Sequence, residues 1–182
     1  MKFKLSLATL AAAASLAIAA PASAGPELTI PDFDQLRQKA VDSTDLTVDG
    51  FLMRIAQRFA ESEANDDDPQ ARQAREVLKG IKSVRVRNFQ FDSDDAYSKA
   101  DIDSVRKQLT APGWNALVQV HKRDPREDVD VYVCMEGGKA TGLAVIASEP
   151  REFTIVNIIG SIDIDKFASL EGQFGIPRVS QN

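Results

Sequence analysis

The sequence has one cysteine and one histidine in 182 residues, with one tryptophan and two tyrosines. A single cysteine, Cys134, excludes an internal disulfide, so the fold must stand on its core alone even where thiols are oxidised. Positive charge is also short: 22 Lys and Arg against 27 Asp and Glu give a net charge of −5. That disfavours nucleic acid as a partner, because phosphate binding needs a concentrated basic surface. After residue 24 no apolar run is long enough to span a membrane, and there is no internal repeat. The residue directly after Ala24 is glycine, not cysteine, which excludes a lipoprotein signal.

What is present begins with an export signal. Lys2 and Lys4 precede an apolar run over residues 5–20, Pro21 breaks it, and Ala22-Ser23-Ala24 has the small-x-small pattern of a cleavage site. The run is short of the ~20 residues needed to cross a bilayer. Cleavage after Ala24 is expected, giving a periplasmic or secreted protein with no transmembrane segment in the mature chain. Residues 25–46 read as an extended arm with a weak helical patch around Phe33, Leu36 and Ala40. One α+β domain is expected over 47–174, with a polar tail over 175–182.

Hydrophobic spacing predicts a helix over 47–62, with Val48, Phe51, Leu52, Ile55, Ala56 and Phe59 on one stripe. The expected role of that stripe is to pack on the sheet. The sharper reading, a partner-binding helix, requires the stripe to be exposed. Asp68-Pro69 opens a second helix that Gly80 ends, making an N-terminal helical hairpin. Ser98 and Asp101 form a capping-box pattern for a helix carrying Ile102, Val105 and Leu109 inward. A last helix is expected over 163–173.

Five strands are expected, mostly antiparallel. The first covers 81–91, where a bulge near Arg87-Asn88 would bring Val84, Val86, Phe89 and Phe91 to one face. The second covers 114–121, with Trp114, Ala116, Val118 and Val120 on one face. A meander closes the sheet over 128–160, its turns at Gly137-Gly138 and Glu149-Pro150-Arg151. In its first strand Val129, Val131, Val133 and Met135 are expected to face in, with Asp130, Tyr132 and Cys134 facing away.

Several residues have a chemistry worth weighing. A Cys134–His121 dyad fails on register: if the second strand pairs with the meander, His121 lies opposite Asp128 or Val129, and Cys134 is about 17–20 Å away. Cys134 then reads as a partly covered strand residue, or as half of an intermolecular disulfide. Asp66-Asp67-Asp68 and Asp92-Ser93-Asp94-Asp95 lack the ligand spacing of a calcium loop and suit turns and caps. Gly137-Gly138-Lys139 lacks the spacing and following helix of a phosphate loop. Lys82, Arg85 and Arg87 read as charges protecting an edge strand.

Residues 80–86, Gly113-Trp114, residues 129–133, Gly142-Leu143-Ala144-Val145, Glu149-Pro150 and residues 155–160 together resemble the domain-of-unknown-function 4252 family. That resemblance covers about 47–170 and implies a small exported bacterial protein; it brings no established activity and no catalytic residue. The function expected is therefore non-enzymatic, without cofactor or metal: a binding or accessory module of the periplasm or envelope with a protein partner. The alternative is a carrier of a small apolar molecule or lipid, with Phe51, Phe59, Phe89, Phe91 and Trp114 lining a pocket between helices and sheet.

Overall fold

The computed structural model describes residues 25–62, 69–123 and 126–164. The expected signal peptide, the Asp66–Asp68 run, most of the last helix and the polar tail lie outside them. The fold is α+β: six strands form one antiparallel sheet in the order β1-β2-β6-β5-β4-β3. The strands are β1 (Asp42–Asp49), β2 (Ile81–Gln90), β3 (Trp114–Arg123), β4 (Arg126–Glu136), β5 (Lys139–Glu149) and β6 (Glu152–Gly160). The helices are α1 (Asp34–Lys39), α2 (Gly50–Ser62), α3 (Pro69–Gly80) and α4 (Lys99–Arg106), the last continuing as a 3-10 turn over Lys107–Thr110.

The sixth strand, β1, lies where an arm and the start of a helix were expected. It pairs with β2 from Asp42↔Gln90 to Asp49↔Ser83. Val48 therefore belongs to β1, and α2 starts only at Gly50. The helical hairpin is not N-terminal: it joins two neighbouring strands. Because β1 takes the edge, β2 is an interior strand. Two of the three charges expected to guard an edge are instead paired within the fold: Arg85 bonds Glu27 at 2.5 Å, and Arg87 pairs with Asp45.

The core lies on one face of the sheet, covered by α1, α4, the 3-10 turn and the N-terminal arm. Phe153 is fully buried at its centre. Phe33 meets the rings of Phe89 and Phe153 edge-on at 5.9 and 5.8 Å, and Tyr97 stacks on Phe153 at 5.2 Å. Such ring pairs add attraction beyond the area they bury. Ser98 caps α4 with the expected capping box, and Val105 and Leu109 are buried. The arm docks here too. Asn157 of β6, fully buried, accepts the Leu28 N–H at 3.1 Å and donates to the Pro26 and Leu143 carbonyls at 3.0 and 3.3 Å. Pro26 comes so close that a Cβ on Gly142 would lie 2.4 Å from its own Cβ.

Strand parity differs from expectation in three places. No bulge occurs at Arg87-Asn88; β2 shifts register only between Ile81 and Ser83. Phe89 is buried in the core, while Val84 and Val86 are half-buried on the opposite face. In β3 a bulge between Ala116 and Val118 sends Val118 and Val120 to the face opposite Trp114. In β4 Asp130, Tyr132 and Cys134 point to the helix-covered side instead of away from it; of the residues expected to face in, Val129 and Val133 are buried on the other side, Val131 is half-buried and Met135 is exposed. Both parities were apolar enough to serve as the inner one, so alternation alone did not choose between them.

The opposite face carries an apolar row across all six strands: Leu46, Val86, Val156, Val145, Val131 and Val118 stand side by side. The flanking row on one side holds Val48, Val84, Ile158, Leu143 and Val133, the last two buried; the row on the other side is mixed, with Thr44, Asn88 and Thr154 beside Ala147, Val129 and Val120.

Candidate functional site

The five aromatic residues expected to line a pocket are not brought together. Phe89, Phe91 and Trp114 are buried among the core residues of the helix-covered face. Phe51 and Phe59 stand on α2, 65% and 62% exposed. Leu52 beside them is 54% exposed, and Ala56 is exposed as well. The stripe thus turns outward. Helix α2 anchors itself by the other side: Met53 is buried, and the Gln57 amide donates to the Leu78 and Ile81 carbonyls at 2.9 and 3.1 Å. Arg54 and Arg58 are exposed on the same helix.

A polar cluster lies at the other end of the sheet, where β3 and β4 meet α4. Asp130 is wholly buried and accepts hydrogen bonds from the Arg106 guanidinium and, at 3.2 Å, from the Gln119 amide. His121 Nδ1 is 2.9 Å from Asp128 Oδ1, and its Nε2 is 3.9 Å from Asp130. The Gln119 amide also reaches the Tyr132 hydroxyl at 3.5 Å. Burial, with Asp130 close by, pushes that phenol above its ordinary range. A cleft of about 390 Å³ opens beside the cluster, walled by Arg106, Arg126, Asp128, Tyr97 and Ser148.

This arrangement sets a buried carboxylate against a guanidinium. His121 pairs with Asp128 as the register required, and Cys134 sits opposite Trp114 at the far end of β4. Cys134 is fully buried, which pushes its thiol above the ordinary range and keeps it protonated. Burial also withdraws it from an intermolecular disulfide. Iodoacetamide should therefore modify Cys134 in the native protein at least about a hundredfold more slowly than after unfolding in urea. Comparable rates in the two states would mean that the strand end is open.

Among the described residues no group of three or more His, Cys, Asp or Glu side chains is placed to hold a metal ion. The Asp92–Asp95 segment is a turn in which Asp94 bonds Arg151 at 2.6 Å and Asp95 bonds Arg126 at 3.2 Å. Gly137 and Gly138 form the expected tight hairpin turn, both at positive φ (57° and 78°). No described helix is long and apolar enough to cross a membrane.

Asp130, Arg106 and Asn157 were missed by sequence reasoning. A lone acid within Val129-Asp130-Val131 looks like a solvent-side residue. The available signal was that Tyr132 and Cys134, types often found inside, share its parity.

The molecule is thus defined as a single-sheet α+β protein, with a covered aromatic core on one side and apolar side chains left in contact with water on α2 and on the other side of the sheet. The chain belongs to the family described as Domain of unknown function (DUF4252), whose model matches residues 37–170. That span starts about ten residues before the resemblance and takes in all of β1. No curated protein and no solved structure matches the chain.

Proposed function

We propose that the protein is an exported, non-enzymatic binding module of the bacterial periplasm or envelope, and that α2 is its contact helix. The outward apolar stripe of α2 carries this reading. Phe51, Leu52 and Phe59 leave large apolar side chains in water, and such a patch, rimmed by polar residues, marks an interaction surface. The helix is held in place by Met53 and Gln57, so its outer side needs no other element of the domain. Arg54 and Arg58 beside the stripe suit a partner with an apolar groove and an acidic rim, the helix-in-groove mode. Export rests on the basic, apolar and small-residue pattern of residues 1–24. The carrier alternative loses most of its wall, since Phe89, Phe91 and Trp114 fill the core.

A photo-crosslinking residue at position 59, introduced in cells, should capture one dominant envelope protein. Phe51→Ser with Leu52→Ser should cut that capture at least about tenfold, while the melting point moves little, as is usual for surface changes. Undiminished capture in that variant would sink the assignment of α2.

A further inference from the structure

The N-terminal arm, residues 25–30, lies in a groove on the helix-covered face of the sheet. We propose that this groove is a binding site for an extended peptide, and that it also takes the arm of a second copy, so that two chains pair by exchanging arms.

The groove is built to hold main chain. Arg85 and Asn157 stand side by side on β2 and β6, Gly142 of β5 lies one row further on, and Gln108 belongs to the 3-10 turn. Asn157 accepts the Leu28 N–H at 3.1 Å and donates to the Pro26 carbonyl at 3.0 Å. Gln108 accepts the Thr29 N–H at 2.9 Å and donates to the Thr29 carbonyl at 2.8 Å. Arg85 reaches the Leu28 carbonyl at 3.5 Å. The bonds alternate from side to side along the arm, Pro26 and Leu28 to the sheet residues and Thr29 to the turn, as they would along a β-strand. Side-chain amides thus do the work of a neighbouring strand, and such bonds are indifferent to the sequence they hold.

Selectivity comes from three further contacts. Leu28 is buried in the core, Arg85 bonds the Glu27 carboxylate at 2.5 Å, and Gly142 leaves room for Pro26, where a Cβ would lie 2.4 Å from that of the proline. The ligand class is an extended peptide in which an acid precedes a leucine-sized apolar residue. An identical arm on another copy meets every one of these requirements.

The tether favours exchange. Pro31, Asp32 and Phe33 join the arm to α1. Phe33 is held at φ 49° and ψ 39°, in the left-handed region, which is strained for a residue with a bulky side chain. Pro31 keeps the residue before it extended. A short hinge under strain invites exchange of the segment beyond it, and a reciprocal exchange repeats the same bonds in both copies about a two-fold axis. Against it, the tether presents the arm in cis at a millimolar effective concentration. Exchange therefore takes over when arms are free together at a comparable concentration, as during folding before Asn157 is in place. Cleavage after Ala24 would give the arm a free end, so the chain to use is one that begins at Gly25, whatever the site of signal cleavage.

Refolded from urea at about 500 µM, that chain should give at least about tenfold more dimer on size exclusion than after refolding at about 1 µM. Gly142→Val should give none, because its side chain takes the seat of Pro26 while a strand accepts valine readily. Gly142→Val has an arm without a groove, and a chain starting at Pro31 has a groove without an arm. Each should be monomeric alone, and the two together should form a 1:1 complex. A refolded chain that is monomeric at both concentrations overturns the proposal, as does a mixture that stays monomeric. So does a dimer that Gly142→Val forms equally well, which would place the contact elsewhere, α2 included. Should either variant fail to fold by circular dichroism, a photo-crosslinking residue at position 29 of the refolded full chain reads the same contact. Crosslinks between copies to residues 104–108 uphold the exchange, and crosslinks within single copies alone overturn it.

Discussion

Replacing Arg106 with leucine should cost about 3 kcal/mol of stability and lower the melting point by roughly 6–12 °C for a chain of this size. The reason is the state of the group left behind. The Asp130 side chain is 1% exposed, and its oxygens are served by the Arg106 guanidinium and the Gln119 amide. Without the guanidinium a buried carboxylate keeps one neutral donor, and an unpaired buried charge is among the few defects that cost several kcal/mol. The reverse change, Asp130→Leu, should cost less, because the Arg106 side chain is 29% exposed and can turn to water. The double variant should recover most of the Arg106→Leu loss, since an apolar pair of similar volume replaces a buried ion pair at little net cost. A double-mutant cycle from urea melts measures this; simple additivity of the two losses would show that the pair is not coupled.

Phe153→Ala should destabilise by about 4 kcal/mol, within the range for truncating a buried phenylalanine. Phe153 is wholly buried, and three rings stand round it: Phe33, Phe89 and Tyr97, with centroids 5.8, 6.5 and 5.2 Å away. Two of these sit on rigid supports, Phe89 on neighbouring β2 and Tyr97 with its hydroxyl bonded to the Glu149 and Glu152 carbonyls. The cavity therefore collapses poorly, and the measured loss should include the cavity term in full. Leu46→Ala on the opposite face serves as the control and should change monomer stability by less than about 0.5 kcal/mol. A Phe153→Ala loss as small as that of Leu46→Ala in urea melts would mean that the ring cluster is not the centre of the core.

Local signals were legible where one residue type decides a backbone shape. The Gly137-Gly138 and Pro150-Arg151 turns, the Ser98 cap and the Gly80 stop each sit where the residues put them. The pairing of His121 with Asp128 followed from the position of the loop alone. What was hidden depended on partners remote in sequence. Asp42 to Asp49 carries three aspartates and only Leu46 and Val48 as large apolar residues; an edge strand needs no more, because β1 is almost wholly exposed. The side of α2 that faces the protein is set by Met53 and Gln57, against the pull of its larger apolar stripe. The Asp130 and Asn157 sites depend on Arg106 and on the Pro26–Leu28 arm, and no periodicity announces a bond to a residue 129 positions away.

The strand order also dictates when the molecule can become whole. As the chain is made, β1 and β2 can pair with each other, and β3, β4 and β5 can pair in sequence, but these two pieces do not touch: β6 alone lies between β2 and β5. Until residue 160 is available the protein is two half-sheets, each baring an edge that the finished sheet covers, and the arm lacks its buried anchor, Asn157, which is on the missing strand. The first described residues of the chain are therefore among the last to settle. Bare edges are templates for pairing with other chains, so the interval before β6 arrives is when this protein most needs to be kept from its neighbours.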